Sequence, residues 1–178
     1  MAAGLSLKDL LLQDLSRKHA ESIAEMAGKN HSIFDELWET ALSDDHPINW
    51  RAAWAMDAVW QKNPDLIIPF IPKMWSLLPS LKVDGVKRQF VKIIAEWPLP
   101  DNEEQLGILL GTCFDWLVAT DEAIAVKVHC MQILYNISIR IPEIVPELKT
   151  TIEVAMLEGS PAIVSRGRHV LQRLQKQG

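Results

Sequence analysis

Cysteine is scarce, one long stretch carries no basic charge, and no apolar run is long enough to span a bilayer. The two cysteines, Cys113 and Cys130, stand 17 positions apart, a spacing that fits no metal or redox motif and points to buried thiols in a reducing cytoplasm. Between positions 93 and 126 there are seven acids and no lysine or arginine, and the whole chain carries a net charge of −5. That balance argues against a general nucleic-acid binder, whose affinity comes mainly from neutralising phosphates. Uncharged runs such as 66–72 and 97–100 are short or broken by proline, and positions 1–20 already hold Lys8, Asp9, Asp14, Arg17 and Lys18. Neither a signal peptide nor a membrane contact is expected. A glycine-rich phosphate loop and a Gly-x-Ser-x-Gly elbow are absent, and the five histidines offer no pair at ligand spacing. Catalytic residues, cofactors and metal ions are therefore not expected.

What is present is ordinary globular material. The 178 residues are 48% hydrophobic and 23% charged, enough for one domain with a sizeable core. Self-similarity then gives the organisation. A basic residue recurs at Lys18, Arg51, Arg88, His129 and Arg166, at intervals of 33, 37, 41 and 37. Five positions after each stand Ile23, Met56, Ile93, Leu134 and Leu171. Three further on come Met26, Val59, Glu96, Ile137 and Leu174, apolar in four of the five. An i, i+3 apolar pairing marks the buried face of an amphipathic helix.

Each such helix is followed by a turn: Lys29-Asn30-His31, Asn63-Pro64-Asp65, Leu99-Pro100-Asp101, Ile141-Pro142-Glu143. Proline suits a first helical position, where its missing N–H would lack a partner anyway. Second helices are expected over about 32–42, 69–78, 103–117 and 146–157, with Pro69, Pro72 and Pro146 forcing a short separate turn before the helix proper. The linkers Ser43-Asp44-Asp45, Lys82-Val83-Asp84-Gly85, Thr120-Asp121-Glu122 and Gly159-Ser160-Pro161 are expected to supply N-caps, Ser160-Pro161 most clearly. The pattern predicts one domain over 1–178: a capping helix at 6–15, repeats at 16–42, 47–78, 85–117 and 122–157, and a terminal half repeat at 161–176. No β-alternation appears, so the fold is all-α.

Paired helices at this spacing resemble HEAT/armadillo-like α-solenoids, most clearly at Arg51-Ala-Ala-Trp…Asn63-Pro64-Asp65-Leu66-Ile67 and Val126-Lys-Val-His129…Ile141-Pro142-Glu143-Ile144-Val145-Pro146. The likeness covers residues 15–176 and is similar to short bacterial HEAT-like proteins, which brings no activity with it. It departs from the usual longer HEAT spacing, and Glu96 replaces an apolar position. The resemblance implies a right-handed α-α superhelix of about four and a half helix pairs. It also implies a non-enzymatic binding or scaffold role toward a protein or peptide, with a homodimer left open.

Within that frame several residues stand out. Trp38, Trp75 and Trp116 recur in successive second helices. They would form either an aromatic floor to a groove or core packing between helix layers, and burial is favoured because an indole gains so much by it. Glu36, Lys73, Asp115, Thr150 and Glu153 are expected on the outward sides of the second helices, where a partner would sit. The basic column is expected to pair with acids or helix-end carbonyls of the neighbouring repeat rather than to bind anions. Asp57, between Trp54 and Trp60, resembles the acid-and-tryptophan arrangement of HEAT-like alkylpurine DNA glycosylases. That supplies the alternative function, DNA repair, against the structural expectation that Asp57 pairs with Arg51 or Arg88.

Overall fold

Pro64, Pro69 and Pro142 each sit in a 3-10 turn between one helix and the next, the first two in successive turns of one connection and the third in another. Fixed φ and the missing N–H make that the natural place for them. The computed structural model describes residues 6–157 and 159–176. Ten α-helices occur among them: α1 Leu7–Gln13, α2 Arg17–Lys29, α3 His31–Ala41, α4 Ile48–Lys62, α5 Ile71–Leu77, α6 Asp84–Ala95, α7 Glu103–Val118, α8 Ile124–Arg140, α9 Val145–Leu157 and α10 Pro161–Gln175. No strand occurs among the described residues.

Two compact units divide the chain, one holding residues up to Ile71 with Leu81–Phe90, the other Pro72–Ser80 and the residues from Val91 on. In the first unit α4 packs on α2 and α3, and α1 covers α4. Ala24 and Ala27 of α2 and Ala52 and Ala53 of α4 are fully buried, small side chains that let helices approach closely. Met56 and Val59 fill the same layer without exposure. An aromatic cluster closes the unit: Phe70 meets Phe34 edge-on at 5.0 Å and Trp38 at 4.9 Å, and Trp38 stacks on Phe90 at 5.8 Å. Such pairs add about 0.5–1.5 kcal/mol each beyond the area they bury. Ion pairs then tie one helix pair to the next. Lys62 Nζ lies 2.6 Å from Glu25 Oε1, and Lys8 Nζ lies 2.7 Å from Asp45 Oδ2.

In the second unit α8 is the central helix, touching α7, α9 and α10, and α7 also meets α9. Cys130, Met131, Ile133, Leu134 and Ile137 of α8 are fully buried, and the two cysteines form no disulfide. Gly167 brings α10 onto α9: a Cβ there would lie 2.5 Å from Met156 Sδ and 3.0 Å from Ile152 Cγ2.

The repeat register holds in burial. Ile23, Met56, Ile93 and Leu134 lie in the core, and Leu171 is half-buried. One turn on, Val59, Ile137 and Leu174 are buried, while Met26 and Glu96 face solvent. The caps differ from expectation. Ser6, Ser16, Asn30 and Asn102 cap their helices with side-chain oxygens. At α4 the cap position is Pro47, at α8 it is Ala123, and at α10 the Ser160 side chain makes no cap bond. Acids in those linkers act differently: Glu122 Oε1 accepts from the Ala123 N–H at 2.9 Å, one residue before α8.

Candidate binding surface

Asp57 comes first, because it alone carries a catalytic suggestion. It lies in the middle of α4 and is 7% exposed, with Trp54 and Trp60 half-buried on either side. The expected pairing with Arg51 does not form. Six residues turn a helix by about 240°, which carries the two side chains to different faces, and Arg51 Nη1 donates instead to the Leu11 carbonyl at 2.8 Å. Arg88 is exposed and forms none of the ion pairs seen among the described residues.

The basic column divides by position. Arg51 meets a helix-end carbonyl, and Arg166 donates to Gln132 Oε1 at 3.2 Å. Lys18 and Arg88 are exposed and His129 is half-buried. A residue outside the column, Arg140, makes the same kind of backward contact, to the carbonyls of Pro100 at 2.7 Å and Asp101 at 3.4 Å.

The tryptophans of the second helices are packed inward. Trp38 is 5% and Trp75 7% exposed, and Trp116 is half-buried. Burial of an indole removes a large apolar area from water, and in the first unit Trp38 spends its faces on Phe70 and Phe90. The polar candidates lie outside. Glu36 is exposed in the first unit, and Lys73, Asp115, Thr150 and Glu153 are exposed in the second.

One concavity in the second unit stands apart, a groove of about 780 Å3. The end of α7 supplies Leu117 and Val118, the start of α8 supplies Ile124 and Lys127, and α9 supplies Thr150, Thr151 and Val154. Gly159, Ser160 and Ile163 close it at the start of α10. Val118, Ile124 and Val154 are 63%, 48% and 61% exposed. Apolar side chains left this open, together and rimmed by polar groups, mark surfaces that another molecule covers. Of the candidate residues only Thr150 lines the groove; Asp115 stands one helical turn before Val118 on α7. The exposed valines escaped sequence reasoning because a valine one or two positions from a buried Leu117 or Ile152 looks the same whether or not a neighbouring helix covers it.

No group of three or more His, Cys, Asp or Glu side chains among the described residues is arranged to hold a metal ion, and none of the described helices is long and apolar enough to cross a membrane. A family model for the HEAT repeat domain matches residues 7–174. No curated protein and no solved structure matches the chain.

Proposed function

Because the chain belongs to the HEAT repeat family, we propose that it works as a non-enzymatic binding or scaffold module that takes a protein or peptide partner on its second helices. The fold class is all-α, of the HEAT-like solenoid kind, and such repeats generally serve as interaction scaffolds rather than catalysts. The observation that carries the reading is the open apolar groove of the second unit, with Val118, Ile124 and Val154 on its walls. Thr150 belongs to that surface, with Lys73, Asp115 and Glu153 supplying polar specificity around it and Trp75 and Trp116 supporting it from within. Glu36, above Trp38 in sequence register, plays the corresponding part in the first unit. The expected setting is the cytoplasm, in keeping with two buried cysteines that form no disulfide.

The test is affinity capture from the source cells with quantitative mass spectrometry, comparing wild type with Val118→Asp, Val154→Asp and the double charge reversal Lys73→Glu, Asp115→Lys. A specific partner should be retained by wild type and lost by the groove variants, with the unfolding free energy changed by no more than the small amount usual for surface substitutions, about 0.5 kcal/mol. Capture of the same partner at undiminished affinity by all three variants overturns the groove. A second copy of the chain counts as a partner here, and sedimentation of the wild type against Val118→Asp decides that case. Micromolar binding to duplex DNA at physiological salt, weakening steeply as salt rises, would instead favour the DNA-repair reading and return attention to Asp57.

A further inference from the structure

The strongest chemistry outside the groove begins at a main-chain carbonyl. Ala95 O can only accept a hydrogen bond, and Asn136 donates to it from Nδ2 at 3.1 Å. That fixes the amide of Asn136 with Oδ1 outward, where it accepts from Gln132 Nε2 at 2.8 Å. Gln132 is oriented in turn, so its Oε1 faces away from Asn136. Two arginines of α10 converge on that one oxygen, Arg166 Nη1 at 3.2 Å and Arg173 Nη1 at 3.5 Å. Arg173 is also laid over the Tyr135 ring, its Cζ 3.8 Å from the centroid. Both arginine residues are half-buried.

The two helices that carry these side chains are one-sided in charge. Neither α8 nor α10 contains an aspartate or glutamate, while together they carry Lys127, Arg140, Arg166, Arg168 and Arg173. None of the ion pairs seen among the described residues involves Arg166 or Arg173. Two like charges are thus gathered on a neutral acceptor that cannot balance them, in a protein whose net charge is −5. Each guanidinium has five N–H donors and gives one to Gln132. The rest form a fork matched to the oxygens of a tetrahedral anion, the geometry in which arginine outperforms lysine.

We propose that Arg166 and Arg173, positioned by Gln132 and Tyr135, form a binding site for a phosphate dianion, free or carried as a phosphomonoester. The site is separate from the groove and stands whether or not the groove takes a peptide. Gln132 is a positioning residue: the relay from Ala95 points its oxygen at the arginines and holds them apart from solvent-driven rearrangement before any anion arrives.

Isothermal titration with inorganic phosphate, at ionic strength held constant with chloride, tests the site on the whole protein. Wild type should bind saturably, and Arg166→Gln and Arg173→Gln should each weaken binding at least about tenfold, as expected when one charge-assisted pair is lost. Gln132→Glu should abolish it, because the new carboxylate occupies both arginines from within. Arg168→Gln, an exposed cation on the same helix, should change affinity less than about twofold. Circular dichroism checks that each variant is folded, and three independent substitutions keep the test valid if one is not. A short phosphoserine peptide bound more tightly than inorganic phosphate assigns the anion to a partner; equal affinity assigns it to the free ion. Absence of saturation below about 10 mM phosphate, or wild-type affinity in both arginine variants, overturns the proposal.

Discussion

Arg51 Nη1 donates to the main-chain carbonyl of Leu11 at 2.8 Å, across 40 positions of sequence. Leu11 lies in the last turn of α1, whose final carbonyls have no partner within the helix. The arginine of the following helix pair supplies one. Arg51→Met keeps most of the apolar stem and removes the donor. It should cost about 1–3 kcal/mol, the range for a charged hydrogen bond lost from a partly buried acceptor. Hydrogen exchange locates the effect: the α1 amides should lose protection first, and unchanged protection at Leu10 and Leu11 would contradict this role.

The glycines separate into two kinds with opposite responses. At Gly107 and Gly111 of α7 an added Cβ meets nothing within 4 Å, whereas at Gly167 it would fall 2.5 Å from Met156 Sδ and 3.0 Å from Ile152 Cγ2. Gly107→Ala and Gly111→Ala should each stabilise by roughly 0.5–1 kcal/mol through helix propensity alone. Gly167→Ala should destabilise by about 1–3 kcal/mol, because the branched Ile152 cannot fold away as Met156 can. Urea denaturation of the three variants measures both signs, and stabilisation by Gly167→Ala would show that α9 and α10 have slack between them.

Acid should loosen the first unit through Glu25. The hydrogen bond from Lys62, and then its charge, hold the Glu25 carboxyl below its ordinary value of 4.5. A depressed carboxylate stabilises the fold fully above its unfolded pKa and loses that share as pH falls through the lower folded value. Lys62→Met should therefore flatten the decline of the thermal midpoint between neutral pH and about pH 3, most visibly at low salt because the pair is exposed. Lys8 works on the opposite limb. Asp45, by hydrogen bond and charge, raises it above 10.5, so its contribution is complete at neutral pH and disappears as pH rises through the elevated value. A midpoint that falls equally with acid in wild type and Lys62→Met would rule out the Glu25 contribution.

Periodicity made the fold legible, since one basic marker and an i+5 aliphatic sufficed to place Ile23, Met56, Ile93 and Leu134 in the core. Pro69 marked a 3-10 turn ahead of α5 through a covalent restriction that acts locally, whereas Pro72 and Pro146 stand second within α5 and α9 themselves, where a missing N–H costs nothing. Met26 shows where the pattern stops: apolar in sequence, it lies on the outside, because the second row of a helix is buried only if a neighbour reaches it. Caps were less readable at α4, α8 and α10, where a linker rich in Asp, Glu or Ser still leaves Pro47, Ala123 or an unengaged Ser160 at the boundary. Of the groove only Thr150 was legible, and of the arginine pair only Arg166, which the repeating basic column named without Arg173 beside it. Each depends on which side chains of helices some 30 to 40 residues apart share a face, and composition carries no trace of that.

The backward reach of Arg51 to Leu11, Lys62 to Glu25, Arg140 to Pro100 and Arg166 to Gln132 has a temporal side. A nascent chain emerges from the ribosome in the order of its sequence, so each newly released helix carries a group that meets a partner already outside. Folding can then proceed without waiting for the far end of the chain. Until Arg140 has cleared the exit tunnel, the main-chain oxygen of Pro100 must be served by water, and the turn before α7 is at its most open to a protease or a chaperone.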